Sequence, residues 1–343
     1  MPQLSTSQVI IVGAGVLGAS IAYHLAASGR AVTIVERGTV ASGATSASFG
    51  WVGLAKSAAH AYQDPLRAEA AEHFARLRRD LSHEISVVGD GAISWENSPA
   101  ETRAFVEEHR SIGHDLELVT RAEALEREPM LCDAPEVVAL ARGDVAVNAA
   151  DLTRGLLRAA ASHGARLLQS TEVTTLIRDE RRVTGVRTAA GDIAGSTVVL
   201  AAGTATAALA APLDVAIEVE ASPSCLLTFT APGPILRGIL STPEFEIRQP
   251  APHLLLGAED VPIGFAGSPR DLAAETLAAI GSGLRGGDRV ALLDARIGRR
   301  PVPHGGAPLV GFAERIDGLY LAVAHPGVIL AGAIGARVAG ELA

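Results

Sequence analysis

Lysine, cysteine and aromatic residues are all scarce in this chain. Of its 29 basic residues only Lys56 is a lysine, and 38 acidic residues outweigh them, for a net charge of −9 at neutral pH. No Lys/Arg-rich block occurs, which argues against a nucleic-acid-binding face. The two cysteines, Cys132 and Cys225, have no Cys-x-x-Cys or Cys/His companion, and the ten histidines show no metal-ligand spacing. This spacing argues against a disulfide framework and a metal site, and a reducing cytoplasm is the expected compartment. Long apolar runs are missing too. The most apolar stretch, residues 198–219, is interrupted by Gly203, Pro212 and Asp214, so no integral membrane segment is expected. Residues 1–8 are polar and lack the charged-then-apolar order of a signal peptide.

What is present is a chain of 343 residues, 48% hydrophobic, enough for about two domains around large cores. Residues 8–12 read as a buried strand, followed by glycines and a helix over 16–28. The apolar positions of that helix, Leu17, Ile21, Ala22 and Leu25, recur at helical spacing. Residues 31–36 read as a second buried strand, so a parallel strand pair bridged by a helix is implied. Within this unit stands Gly13-Ala14-Gly15-Val16-Leu17-Gly18. Gly13 suits a tight turn after the strand, Gly15 lets backbone approach a pyrophosphate, and Gly18 allows close helix–strand packing. The N–H groups at the helix start, including those of Val16 and Leu17, attract the anion. Glu36 ends the second strand, where a carboxylate can accept hydrogen bonds from ribose hydroxyls. The pattern defines a dinucleotide site without choosing between NAD and FAD.

Residues 38–60 are rich in Gly, Ser, Ala and Thr and read as a long irregular loop. Asp64-Pro65 then opens a helix whose stripe is Leu66, Ala70, Phe74, Leu77 and Leu81. Further βα patterning runs from 149 to about 215. Strand-like periodicity dominates 224–299, and a last strand over 319–323 leads into a Gly/Ala-rich helix.

Glu36-Arg37 and the run Ala41-Ser42-Gly43-Ala44-Thr45-Ser46-Ala47-Ser48-Phe49-Gly50-Trp51-Val52 resemble the FAD-dependent amine and D-amino-acid oxidase superfamily, which includes glycine oxidase, sarcosine oxidase and D-amino-acid dehydrogenases. The resemblance extends to Glu172-Val173, to Ala201-Ala202-Gly203, to the stretch Arg299–Gly311 and to Ala324-His325-Pro326-Gly327-Val328-Ile329-Leu330. It implies FAD as the cofactor. Glu36 would hold the adenosine ribose, Arg37 would lie near the adenine, and Thr45 and Ser46 would donate to phosphate. Gly50, Trp51 and Val52 would border the flavin ring, and the backbone of Val173 would bond the base. Ala202 and Gly203 would turn against the cofactor, and Gly327, Val328, Ile329 and Leu330 would face the flavin's pyrimidine edge. No cysteine is near Ile297 in the sequence, so the flavin is expected to be non-covalent.

The same resemblance nominates Arg300 to pair with a substrate carboxylate, with Arg299 and Arg248 as rivals. His325 would tune the flavin or orient substrate, and Trp51 would shape the site. The implied fold is α/β, a Rossmann-like FAD domain (1–63, 140–215 and 299–343) interleaved with a substrate domain (64–139 and 216–298) on a mostly antiparallel sheet. The implied reaction is oxidation of a small amine or amino acid to the imine, with oxygen or a quinone or other carrier as electron acceptor. Two alternatives stand beside it: a 2-hydroxy-acid or alcohol oxidoreductase, and a non-catalytic flavoprotein. The oligomeric state stays open. His304, where the family has Asp, and Pro326 depart from the pattern, and Lys56 is no counterpart of the lysine that speeds reaction with oxygen in sarcosine oxidase.

Overall fold

In the first strand, Val9–Val12, every residue is buried, as a strand covered on both faces requires. It pairs in parallel with Val32–Val35 on one side and Thr197–Leu200 on the other, with Val9 opposite both Val32 and Thr197. The computed structural model describes residues 8–53, 58–89 and 91–342; Lys56 and the first seven residues lie outside them. A six-stranded sheet results, in the order 309–312, 319–323, 197–200, 9–12, 32–35, 166–168, parallel except at the 309–312 edge. The mixed α/β architecture expected from the sequence is the one observed.

Alternation along the first strand explains its two coverings. Val9 and Ile11 face a layer of helices, Val16–Ala27, Ala70–Asp80, Ala149–Ser162 and Gly327–Leu342. Ile10 and Val12 face a three-stranded antiparallel sheet formed by residues 173–194, through Leu176, Val183 and Val186. Each such fully buried side chain contributes about 1.5–3 kcal/mol.

The second sheet has eight strands, in the order 291–303, 219–230, 254–260, 246–251, 239–241, 92–94, 137–141, 117–120. All its pairings are antiparallel except that of Ile239–Ser241 with Ala92–Ser94. Phe229, Leu240, Ile247 and Leu255 build its core with Ile280 of the helix Ala273–Gly283.

Two segments depart from the expected organisation. The helix opened by Asp64, which caps Leu66 N–H at 2.9 Å, breaks at Glu69 into Pro65–Ala68 and Ala70–Asp80. Its Leu66, Phe74 and Leu77 join the core of the six-stranded unit beside Ile21 and Leu330. We therefore propose that residues 65–81 belong to that unit and not to the second region. The loop over 38–60 is not wholly irregular: Ala44–Ala47 forms a 3-10 turn, and Trp51–Val52 forms a short strand paired with Val145 and Ala146.

Candidate functional site

A cavity of about 970 Å³ opens at the carboxyl ends of the parallel strands and is lined on its far side by residues of the eight-stranded sheet. Open α/β sheets bind ligands at this place. One end is built from backbone. Gly13 has φ +106°, and a Cβ there would stand 2.5 Å from the carbonyl oxygen of Ala201, so only glycine lets these two strand ends approach. Gly18 lies outside the lining. A Cβ on it would stand 2.0 Å from the Gly13 carbonyl oxygen, so its role is to seat the helix against the turn. Gly15, Val16 and Leu17 face the cavity. Gly15 is the N-cap and offers no side chain, so the helix start is left to outside acceptors, and Thr45 Oγ1 accepts from Val16 N–H at 3.2 Å.

The Glu36 carboxylate lines the same wall. It accepts from Ala14 N–H and Gly38 N–H, each at 2.8 Å, which fixes its position at the strand end. Arg37 lies beside it. At a second helix start, Gly327 to Leu330 also line the cavity, and so do Ala202 and Gly203. Two helix N-termini, an acid at the end of the second strand and a long groove between them suit a negatively charged dinucleotide. FAD fits this donor set: the Val16 and Gly327 helix starts would hold its anionic groups, and Glu36 its ribose.

Several nominated residues lie elsewhere. Ser46 turns away, donating to the carbonyls of Ser42 and Gly43 at 3.3 and 3.0 Å, because the 3-10 turn sends adjacent side chains to different sides. Ser42, Gly43, Ala44 and Ser48 line the cavity instead. They stand in the same Ser/Gly run, which was the available signal. Val52 is buried in the helical-layer core; the side chain of Val173 packs into the opposite core with Leu176, while the contact nominated for that residue is through its backbone. Gly50 and Trp51 do face the cavity, and Trp51 Nε1 donates to the buried Asp144 at 2.7 Å.

The other end of the cavity carries side-chain charge. Arg300 and Arg299 sit on the long strand Ala291–Pro303, where Ser222 faces Arg300 across the ladder. Arg300 Nη2 donates to Ser222 Oγ at 3.1 Å and the Pro223 carbonyl at 3.3 Å, and lies 3.0 Å from Asp260 Oδ1. Its Nε is buried without a partner among the described residues. Arg67 Nη2 donates to the His325 carbonyl at 2.7 Å. Asp260 and Arg67 escaped the sequence reading, since only the fold brings them to this wall. Burial, with the Arg300 and Arg67 guanidiniums nearby, pushes the His325 imidazole down to about 4.

Arg248 is not part of the lining, which removes the direct contact a rival substrate anchor needs. It is 3% exposed and spends its fork on two backbone carbonyls behind the wall. Cys225 lies opposite Ile297 across the ladder, but its thiol points into the second core toward the Pro269 carbonyl.

The depressed His325 value carries a prediction. An unfolded histidine titrates near 6.5, so stability from the neutral, buried form is complete above that pH and is lost as pH falls to about 4. The loss is at most roughly 3 kcal/mol. Urea unfolding at pH 7 and pH 4.5 should show a larger drop in wild type than in His325→Gln, whose amide does not titrate. Equal drops would remove His325 as the source.

A parallel sheet whose strand ends, two helix starts and terminal acid face one long cavity defines a dinucleotide-binding α/β protein. The chain belongs to the family described as FAD dependent oxidoreductase, whose model matches residues 8–341. It is 31% identical to a glycine oxidase of Geobacillus kaustophilus over 96% of this chain and 91% of that protein. It is 30% identical to the uncharacterized oxidoreductase YurR of Bacillus subtilis, over 91% and 88%. A solved glycine oxidase from Geobacillus kaustophilus superposes with a TM-score of 0.87 at 29% identity, covering 98% of this chain and 95% of that one. No described helix is long and apolar enough to cross a membrane.

Proposed function

We propose that this FAD-dependent oxidoreductase oxidises a small amine or amino acid to the imine. The observation that carries the reading is Arg300, a guanidinium set in the same cavity as the dinucleotide cradle, with a geometry suited to a carboxylate. The glycine oxidase relatives support an amino-acid substrate. FAD, when bound, supplies the acceptor for the hydride leaving the substrate carbon. The protein's own groups orient and enclose. Arg300 fixes the carboxylate end, Trp51 and Gly50 wall one side, and strands of the eight-stranded sheet line the other. His325 is neutral at physiological pH, so it adds no positive charge beside Arg300 and does not repel a substrate ammonium. A substrate bound as the free amine needs no further base. We assign reoxidation to oxygen or to a quinone or other carrier. On the free thiols Cys132 and Cys225 we assign the protein to the cytoplasm.

The test is to purify the protein, release flavin with acid, and titrate the holoprotein anaerobically with glycine, N-methyl amino acids, D-amino acids, cyclic imino acids and 2-hydroxy acids. The expected result is FAD free in the acid supernatant and bleaching of the flavin band by an amine. Bleaching by hydroxy acids alone would overturn the reading. Flavin retained on denatured protein would overturn its non-covalent part.

A further inference from the structure

Among the described residues, Arg248 is a buried cation that no acidic group balances. It stands in the middle of the strand Glu246–Ala251, is 3% exposed, and makes no ion pair among the described residues. Its Nη1 is buried without a hydrogen-bond partner, and burial alone lowers its pKa to about 10. Removing a charge from water without a counter-ion is strongly unfavourable, so its retention calls for a reason.

Its remaining contacts supply one. Nε donates to the Phe49 carbonyl at 2.6 Å and Nη2 to the Val147 carbonyl at 3.1 Å, with the guanidinium carbon 5.3 Å from the centre of the Phe49 ring. These carbonyls flank Gly50, whose φ is +78° and whose Cβ, if present, would stand 2.1 Å from the Val147 oxygen. Val147 N–H donates in turn to the Gly50 carbonyl at 2.9 Å. Phe49, Gly50 and Trp51 are cavity wall, whereas Arg248 reaches them from the eight-stranded sheet. One side chain thus ties the roof of the cavity to its side. Behind that wall it places a positive charge that water screens little.

We propose that Arg248 is a positioning residue that fixes the Phe49–Trp51 wall of the cofactor cavity and whose unbalanced charge raises the reduction potential of the flavin bound there. The inference rests on the assignment of this cavity to FAD. A fixed charge behind a dry wall favours any gain of negative charge within it, whether by electron uptake or by addition of an anion.

The experiment compares flavin-loaded wild type with Arg248→Met, which keeps the length and apolar stem, and Arg248→Lys, which keeps the charge without the fork. Two quantities are read: the midpoint potential, and the dissociation constant for sulfite, an anion that adds to oxidised flavins. For Arg248→Met the expected result is a sulfite constant raised roughly tenfold or more. The potential should fall by about 30 mV for each tenfold change in the two-electron equilibrium. Arg248→Lys should keep sulfite affinity near wild type and bind FAD more weakly, since it cannot hold both carbonyls. An Arg248→Met protein with wild-type potential and sulfite affinity would overturn the electrostatic role. Wild-type FAD affinity in Arg248→Lys would overturn the positioning role. If Arg248→Met does not fold, the lysine variant decides alone, a tenfold loss of sulfite affinity there counting against the charge. A wild-type protein that carries no flavin would instead refute the cofactor site itself.

Discussion

Replacing Gly15 by valine should leave the protein folded and nearly free of FAD. Gly15 lines the cavity at the start of the first helix, and a Cβ there would already sit 3.3 Å from Thr45 Oγ1. Valine adds two further methyl groups where the pyrophosphate would meet the helix N–H groups, and the bulk points into the cavity and not into a core. The expected outcome is a melting temperature close to that of wild-type apoprotein, with flavin absorbance lost. Glu36→Ala is the graded companion. It removes charge-assisted hydrogen bonds to ribose worth about 1.5–3 kcal/mol, roughly 10- to 150-fold in FAD affinity. It also frees Ala14 N–H and Gly38 N–H, so some loss of stability should accompany it. Full flavin occupancy in both variants would displace the cradle from this end of the cavity.

Arg300→Ala should cut kcat/KM for a carboxylate-bearing substrate roughly 30- to 150-fold, from a charged hydrogen bond worth about 2–3 kcal/mol. A larger effect would suit a fully buried arginine, but this side chain is 31% exposed and already shares its charge with Asp260, which is 84% exposed. Substrate carboxylate must therefore displace or join an existing partner. An amine without the carboxylate should lose much less, because it never used the contact. Equal losses for the two substrates would make Arg300 a structural tie between Ser222 and the strand Ala291–Pro303. Flavin content should be unchanged in either case, and is measured first.

The legibility of the site followed how locally each part is encoded. Gly13, Gly15, Gly18 and Glu36 lie within one βαβ unit, the glycines acting through backbone clearance and Glu36 through its place at the strand end, so spacing along the chain was enough to nominate them. The helix start at Gly327 was indicated by the resemblance of Ala324–Leu330 to the family's final turn. Ser46 and Thr45 could not be told apart, because a 3-10 turn decides which of two adjacent hydroxyls faces inward. Asp260 and Arg67 were invisible. Each reaches Arg300 or His325 from another part of the chain, and nothing in their own neighbourhood marks them. Arg248 was read only as a rival substrate anchor, because the carbonyls it holds, Phe49 and Val147, come from two distant segments. Substrate-side geometry depends on cross-strand register, whereas the cofactor cradle depends on a turn.

The way the six-stranded sheet is assembled has a consequence for synthesis. Ile10 needs Val198 beside it, and Val198 in turn pairs with Leu319. The first strand therefore leaves the ribosome long before its inner partner exists, and the sheet cannot be completed until residues 319–323 have emerged. A nascent chain must carry Val9–Val12, all apolar, with one edge uncovered until Thr197–Leu200 is made. Such non-local pairing folds slowly and exposes strand edges to other chains. Yield of this protein should therefore respond to chaperone supply and growth temperature more than its final packing would suggest.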